Sequence, residues 1–249
     1  MLTWTQYQIL KRFFPGTPDE AGTPDGPDEQ NSKLALMGDE LFTAIRGRVV
    51  IDFGCGEGTE AVEMAARGAS RVFGIDMRES VLRTARQKAL VAGVQDTCIF
   101  ATSTDERADV IVSVDAFEHF ADPAGILKIM DSLLRPAGEV FVSFGPSWYH
   151  PLGGHLFSVF PWAHLIFTER ALIRWRSDFK TDGAKRFGEV AGGLNQMTIR
   201  RFEQLVSRSP FRFERLELAP IRQLRRFHNR LTREFTTAVV RCRLVKRGI

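Results

Sequence analysis

The stretch Val49-Val-Ile-Asp-Phe-Gly-Cys-Gly-Glu-Gly58 constrains the fold more than any other part of this chain. An apolar, β-branched run reads as a buried strand. Three glycines at alternate positions read as a loop that turns tightly and meets a ligand with no β-carbon in the way. A helix follows to Arg67, so backbone N–H groups at its start face whatever occupies the loop. Further strand signals fall at 71–76, 97–102, 109–114 and 139–144, separated by helix signals at 79–92 and 124–134. Near-continuous Val, Ile and Phe strands alternating with helices indicate a parallel sheet covered on both faces. The expected fold is α/β: a doubly wound, mostly parallel sheet.

Asp52 stands just before the loop, where a carboxylate meets a cationic amino group, and Asp76 ends the second strand 18 residues beyond Gly58. In a doubly wound fold that second position grips the two hydroxyls of a ribose. The G-x-G-x-G spacing, with Asp52 before it and Glu57 inside, disfavours a pyrophosphate and favours a ligand bearing ammonium and sulfonium charge.

These residues resemble the class I S-adenosylmethionine-dependent methyltransferases, closely over 31–144. Asp52, Gly54, Cys55, Gly56 and Gly58 are similar to the family's first motif, which holds the methionine moiety. Asp76 is similar to the ribose-binding acid, and Met77 to the residue packing on adenine. Ser113-Val-Asp-Ala-Phe-Glu-His-Phe120 is similar to the fourth-strand exit, and Leu133-Leu-Arg-Pro-Ala-Gly138 to the turn before strand five. Many relatives carry an acid after strand three that bonds the adenine amino group. Here Thr102 or Ser103 stands in that place, with Asp105 as the substitute if the loop bends. The resemblance implies S-adenosylmethionine as cofactor, a Rossmann-like sheet of seven strands and an antiparallel last strand, matching the strand signals at 211–218 and 236–244.

Residues 147–195 break the alternation and hold Trp148, Tyr149, Phe157, Phe160, Trp162, Phe167 and Trp175 together with three of the five histidines. This insertion after strand five is the expected substrate lid, with Trp148, Tyr149, His150 and His155 as acceptor-binding candidates. His119, at the exit of strand four, is the leading general base and His155 the second. His150, His155 and His164 lack the short spacing of metal ligands, so no metal is expected. The acceptor implied is a small, apolar or aromatic organic molecule.

The ends of the chain differ from its middle. A helix signal at 2–14 is followed by four prolines and five acids over 15–32, an acidic linker, so 1–30 is set apart from a methyltransferase domain at 31–249. From Arg200 onward, fourteen Lys or Arg face four acids, although the whole chain carries only +4. Arg222, Arg225, Arg226, Arg230 and Arg233 recur at helical spacing over a helix expected at 221–231, a positive face suited to nucleic acid or anionic lipid. Three alternatives therefore stand beside the main reading. They are an RNA methyltransferase using that face, a peripheral membrane enzyme acting on a lipid or quinone through 2–14 and the insert, and a cofactor-binding protein without transfer. Three widely spaced cysteines and no long apolar span indicate a reducing cytoplasm.

Overall fold

The computed structural model describes residues 2–16, 33–190 and 192–248. Most of the expected acidic linker, 17–32, lies outside the described residues. Two short elements directly precede the first strand. A 3₁₀ turn, Leu34–Met37, is separated from α2 (Asp39–Ile45) by Gly38, whose φ of +80° no helix continues through.

Strand β1 (Val49–Phe53) leads through the glycine loop into α3 (Thr59–Ala66). Next come β2 (Arg71–Ile75), α4 (Glu79–Val91), β3 (Cys98–Ala101) and β4 (Ala108–Val114). Helix α5 (Pro123–Leu133) starts where Asp122 accepts a hydrogen bond from the Gly125 N–H at 3.0 Å and proline takes the first helical position. It runs directly into β5 (Leu134–Phe144). The sheet has seven strands in the order β3-β2-β1-β4-β5-β7-β6. Strands β1 to β5 are parallel, and β7 (Thr237–Lys246) runs antiparallel between β5 and β6 (Phe211–Pro220). The expected doubly wound sheet with an antiparallel last strand is present.

Because β1 neighbours both β2 and β4, the chain leaves it in opposite directions. A crevice opens at the carboxyl ends of β1 and β4, the usual ligand position in such sheets. One face of the sheet is covered by α2, α3 and α4, through Leu41, Met64 and Leu82 among others. The other is covered by α5 and α8 (Ile199–Ser207), through Leu127, Met130, Phe202 and Val206. Phe117 is fully buried between Phe120, Phe144 and Phe202, with ring centroids at 5.2, 6.5 and 5.3 Å. Truncating it leaves a cavity the rings cannot collapse into. Phe117→Ala should cost about 3–5 kcal/mol in a denaturant titration.

The insert has its own apolar core. Helices α6 (Ala163–Ile166) and α7 (Glu169–Arg176) join α1 (Leu2–Phe13), packing Leu172, Trp175, Phe157 and Phe187 around Tyr7 and Leu10. The Tyr7 hydroxyl donates to Asp178 at 2.8 Å, and Trp175 Nε1 donates to the Phe14 carbonyl at 2.6 Å. So α1 is part of the cap, with its inner face committed to the insert.

The helix expected at 221–231 is only a 3₁₀ turn, Arg222–Phe227. Asn229 ends it by accepting from the Leu231 N–H at 2.9 Å, a local turn that competes with a continuing helix. Arg233 falls in a separate short helix, α9 (Arg233–Thr236), and pairs with Glu203.

Candidate active site

A cavity of about 1020 Å³ occupies the crevice. Its floor is the loop after β1. Gly54 has φ +85°, and a β-carbon there would stand 2.7 Å from that of Ala116, so the close approach of the β4 exit requires glycine. Gly56, at φ +50°, has no atom within 4 Å of an added β-carbon, and that open space belongs to the cavity. Gly58 has a different role. At φ +76° it starts α3, and an added β-carbon would meet Ala85 at 2.7 Å and Phe100 at 2.8 Å. It packs the helices rather than lining the cavity.

The two acids read together in the sequence are separated in space. Asp76 lies on the cavity wall, its Oδ2 accepting the Gly56 N–H at 3.1 Å and its Oδ1 the Arg78 N–H at 2.9 Å. The Arg78 guanidinium also donates to it, at 3.1 Å. Asp52 is 2% exposed and behind the loop, off the wall, and its Oδ2 has no hydrogen-bond partner among the described residues. Burial raises its carboxyl well above the usual range, with Glu60 and Asp76 adding to the shift. Its carboxyl serves the loop from beneath rather than from the wall. Ser113 is likewise off the wall, fully buried and donating to the Phe53 carbonyl at 2.9 Å. Cys55, Met77, Thr102 and Ser103 do line the cavity, and Met77 is almost fully exposed.

The far end of the cavity is where the insert closes over the β4 exit. His119 and His155 both face it, with ring centroids 5.2 Å apart. His119 Nδ1 lies 2.8 Å from the Gly193 carbonyl. A carbonyl only accepts, so Nδ1 carries a proton, and in the neutral ring the lone pair is on Nε2. Gly193 has φ +69°, and a β-carbon there would meet the His119 carbonyl at 2.9 Å, so glycine is required for this contact. Asn195 holds the same turn from the other side, its amide donating to the carbonyls of Phe117 at 2.7 Å and Phe120 at 2.8 Å. Neither residue was singled out by sequence reasoning. Their partners lie about 75 positions away, and only the adjacent glycines at 192–193 hinted at a special backbone.

Trp148, Tyr149 and His150 are off the cavity wall, contrary to the lid expectation. Trp148 packs on His164 and Phe187, at 4.7 and 5.5 Å between rings. Tyr149 rests on Phe235, and His150 accepts the Leu152 N–H at 2.9 Å. These side chains build the cap, and the insert's cavity-facing residues come later, apolar ones such as Leu156, Phe179, Val190 and Leu194 beside the polar Arg176, Lys180 and Asp182.

Between the two ends, Lys33 donates to Asp115 at 2.6 Å, and both line the cavity. Glu118 is buried beside them. Its Oε1 accepts the Gly145 N–H at 3.2 Å, while Oε2 has no hydrogen-bond partner among the described residues. Burial, then the Asp115 charge, pushes its carboxyl up to about 8. The folded chain therefore holds that proton more tightly than the unfolded chain. The resulting stability is complete below the usual carboxylate range and is lost as pH rises toward 8. Melting temperature should fall between pH 5 and pH 8 by this linkage, and Glu118→Gln should flatten the slope.

With this geometry in place the chain can be compared with known proteins. The methyltransferase domain profile matches residues 28–208. The chain belongs to that methyltransferase family. A ubiquinone biosynthesis O-methyltransferase of Neisseria meningitidis serogroup C is 42% identical over 106 residues, covering 40% of this chain and 44% of that protein. The chain thus matches less than half the length of this relative. Among solved structures, a methyltransferase of Mesorhizobium loti superposes with TM-score 0.55 at 18% identity, over 93% of this chain and all of the other. Magnesium protoporphyrin IX methyltransferase of Synechocystis, solved with S-adenosylmethionine, gives 0.52 at 14% identity, over 97% of each. These two likenesses concern the fold. The expected class I methyltransferase is borne out as family and architecture. No helix among the described residues is long and apolar enough to cross a membrane.

Proposed function

We propose that the chain transfers a methyl group from S-adenosylmethionine to a ring hydroxyl of a small, lipophilic aromatic acceptor. The observation that carries this reading is His119, with Nδ1 fixed by Gly193 and Nε2 left basic, in the wall of the same cavity as Asp76 and the open loop at Gly56. The cavity fits the cofactor: space at Gly56 for its amino-acid part, and an acid at Asp76 for its ribose. Cys55, Met77, Thr102 and Ser103 line the same wall. When bound, it supplies a sulfonium-borne methyl that a nucleophile takes by in-line displacement.

The chain's own contribution is alignment and deprotonation. Holding the acceptor between the apolar cap residues and the β4 exit fixes its line of approach. His119 Nε2 takes the hydroxyl proton, and the Gly193 carbonyl stabilises the imidazolium through Nδ1–H. His155, one ring away, is the second candidate. The curated relatives are O-methyltransferases of ubiquinone biosynthesis, which favours oxygen as the acceptor atom and a quinone-type ring as the acceptor. The three free, buried cysteines fit work in the cytoplasm.

A second reading rests on one grouping. Glu118, His119 and His155 each bring a ligand atom within 4.8 Å of the others. A divalent cation held there would lower the pKa of a bound acceptor hydroxyl in place of a protein base. Labelled-donor assays with phenols and catechols, against amines and RNA, test the main reading. Transfer to ring hydroxyls supports it, and transfer only to RNA overturns it. Dialysis against a chelator separates the two mechanisms. Activity that survives belongs to the histidine base, and activity lost and restored by Mg²⁺ belongs to the cation.

A further inference from the structure

The positive charge of the C-terminal region divides into two populations. On the strands, Arg212 and Arg215 pair with glutamates at 2.7 and 3.0 Å, Arg243 with Glu139 at 2.6 Å, and Arg241 with Glu217. On the connection between β6 and β7, Arg222, Arg225, Arg226 and Arg230 are all exposed. Among the described residues none of these four has a carboxylate partner, in contrast to their strand neighbours. Between them, Phe227 is 64% and Leu231 90% exposed. A solvated basic face does not need an apolar residue held out in water at its centre.

The location is fixed by topology. Strands β5 and β6 both run antiparallel to β7, so β6 ends at the same sheet edge as β5. The connection therefore lies on the rim that carries the glycine loop, the β4 exit and the cap. Phe235 meets Tyr149 of the insert with rings 5.2 Å apart, and the half-exposed Leu152 follows in the insert.

We propose that residues 222–231 dock the chain onto an anionic lipid bilayer. The four arginines meet headgroup phosphates, and Phe227 and Leu231 enter the interface between headgroups and acyl chains. Interspersed cations and large apolar side chains fit such an interface, where both are satisfied at one depth. A nucleic acid backbone would meet the arginines and leave Leu231 without a partner. The surface stands independently of the methyl-transfer reading, because its occupant is recognised by charge and apolar burial alone.

Cosedimentation of the full chain with phosphatidylcholine–phosphatidylglycerol vesicles tests the surface, with phosphatidylcholine vesicles and single-stranded RNA as the other arms. The expected result is capture by the anionic vesicles that weakens with salt. Capture should fall at least tenfold when the four arginines become serine, and also when Phe227→Ser and Leu231→Ser are combined. Both variants should keep the melting temperature of the parent, since every changed side chain is exposed. No capture by anionic vesicles overturns the proposal. So does capture that neither variant weakens, or binding to RNA with none to vesicles. Loss in the arginine variant alone also overturns the apolar half of the surface, leaving a purely electrostatic contact.

Discussion

His119→Ala should lower kcat by two to four orders of magnitude, about 3–5 kcal/mol of transition-state stabilisation, while leaving S-adenosylhomocysteine binding unchanged. The size follows from the position. The ring faces the cavity, its Nδ1–H is committed to the Gly193 carbonyl at 2.8 Å, and Nε2 is the atom left to take a proton. A purely structural imidazole would show a different pattern, a lower melting temperature with kcat barely moved. His119→Gln separates the roles further, since its amide can keep a hydrogen bond to Gly193 but cannot act as a base. If the glutamine variant retains more than a tenth of kcat, proton abstraction by His119 is wrong. Gly193→Ala is a milder test of the same arrangement. Its β-carbon would press on the His119 carbonyl at 2.9 Å, so the turn must shift and kcat should fall while the cofactor end is untouched.

How far the sequence reached depends on how local each signal was. The alternation of strands and helices, and even the antiparallel return of β7, follow from runs of five to ten residues whose period reports their burial. The glycine loop was equally legible, because three glycines at alternate positions are a local signal of left-handed backbone, and the φ values there are +85°, +50° and +76°. Gly38, too, breaks a helix by its own backbone, but a lone glycine inside a helical pattern is commonly tolerated and gives a weaker warning. The insert was the hard part. Trp148 and Tyr149 have the composition of a binding lid, yet a cap with its own apolar core needs aromatics for packing as much as a ligand does. Nothing in their spacing shows which way they face. The contacts that complete the acceptor end join His119 to Gly193 and Asn195 to Phe117 and Phe120, pairings that depend on how the cap closes. The basic tail misled in the same manner. Five arginines at helical spacing fall on a 3₁₀ turn, a local turn at Asn229 and a separate helix, so they form no single helix face, and Arg233 is drawn off to Glu203.

Asp76→Ala should weaken S-adenosylmethionine and S-adenosylhomocysteine by at least tenfold in calorimetry, whereas Asp52→Asn should change affinity by less than threefold. The contrast separates two carboxylates that motif reading treats alike. Asp76 serves the cavity twice: it fixes the loop through the Gly56 N–H and presents oxygens to the wall where a ribose would lie. Charge-assisted hydrogen bonds contribute about 1.5–3 kcal/mol each, and part of that is offset here because the Arg78 guanidinium must yield its own contact. A tenfold loss corresponds to about 1.4 kcal/mol, so it is the floor for removing both functions. Asp52 has no such access. It is buried behind the loop, where burial disfavours its charged form, so the amide of asparagine replaces a carboxyl of the same size off the cavity wall. Any cost should appear in stability, because a new N–H is placed where Oδ2 already has no described partner. If Asp52→Asn weakened the cofactor as much as Asp76→Ala, the carboxylate would have to reach the ligand's ammonium through a loop that moves aside on binding, and the separation drawn between the two acids would fail.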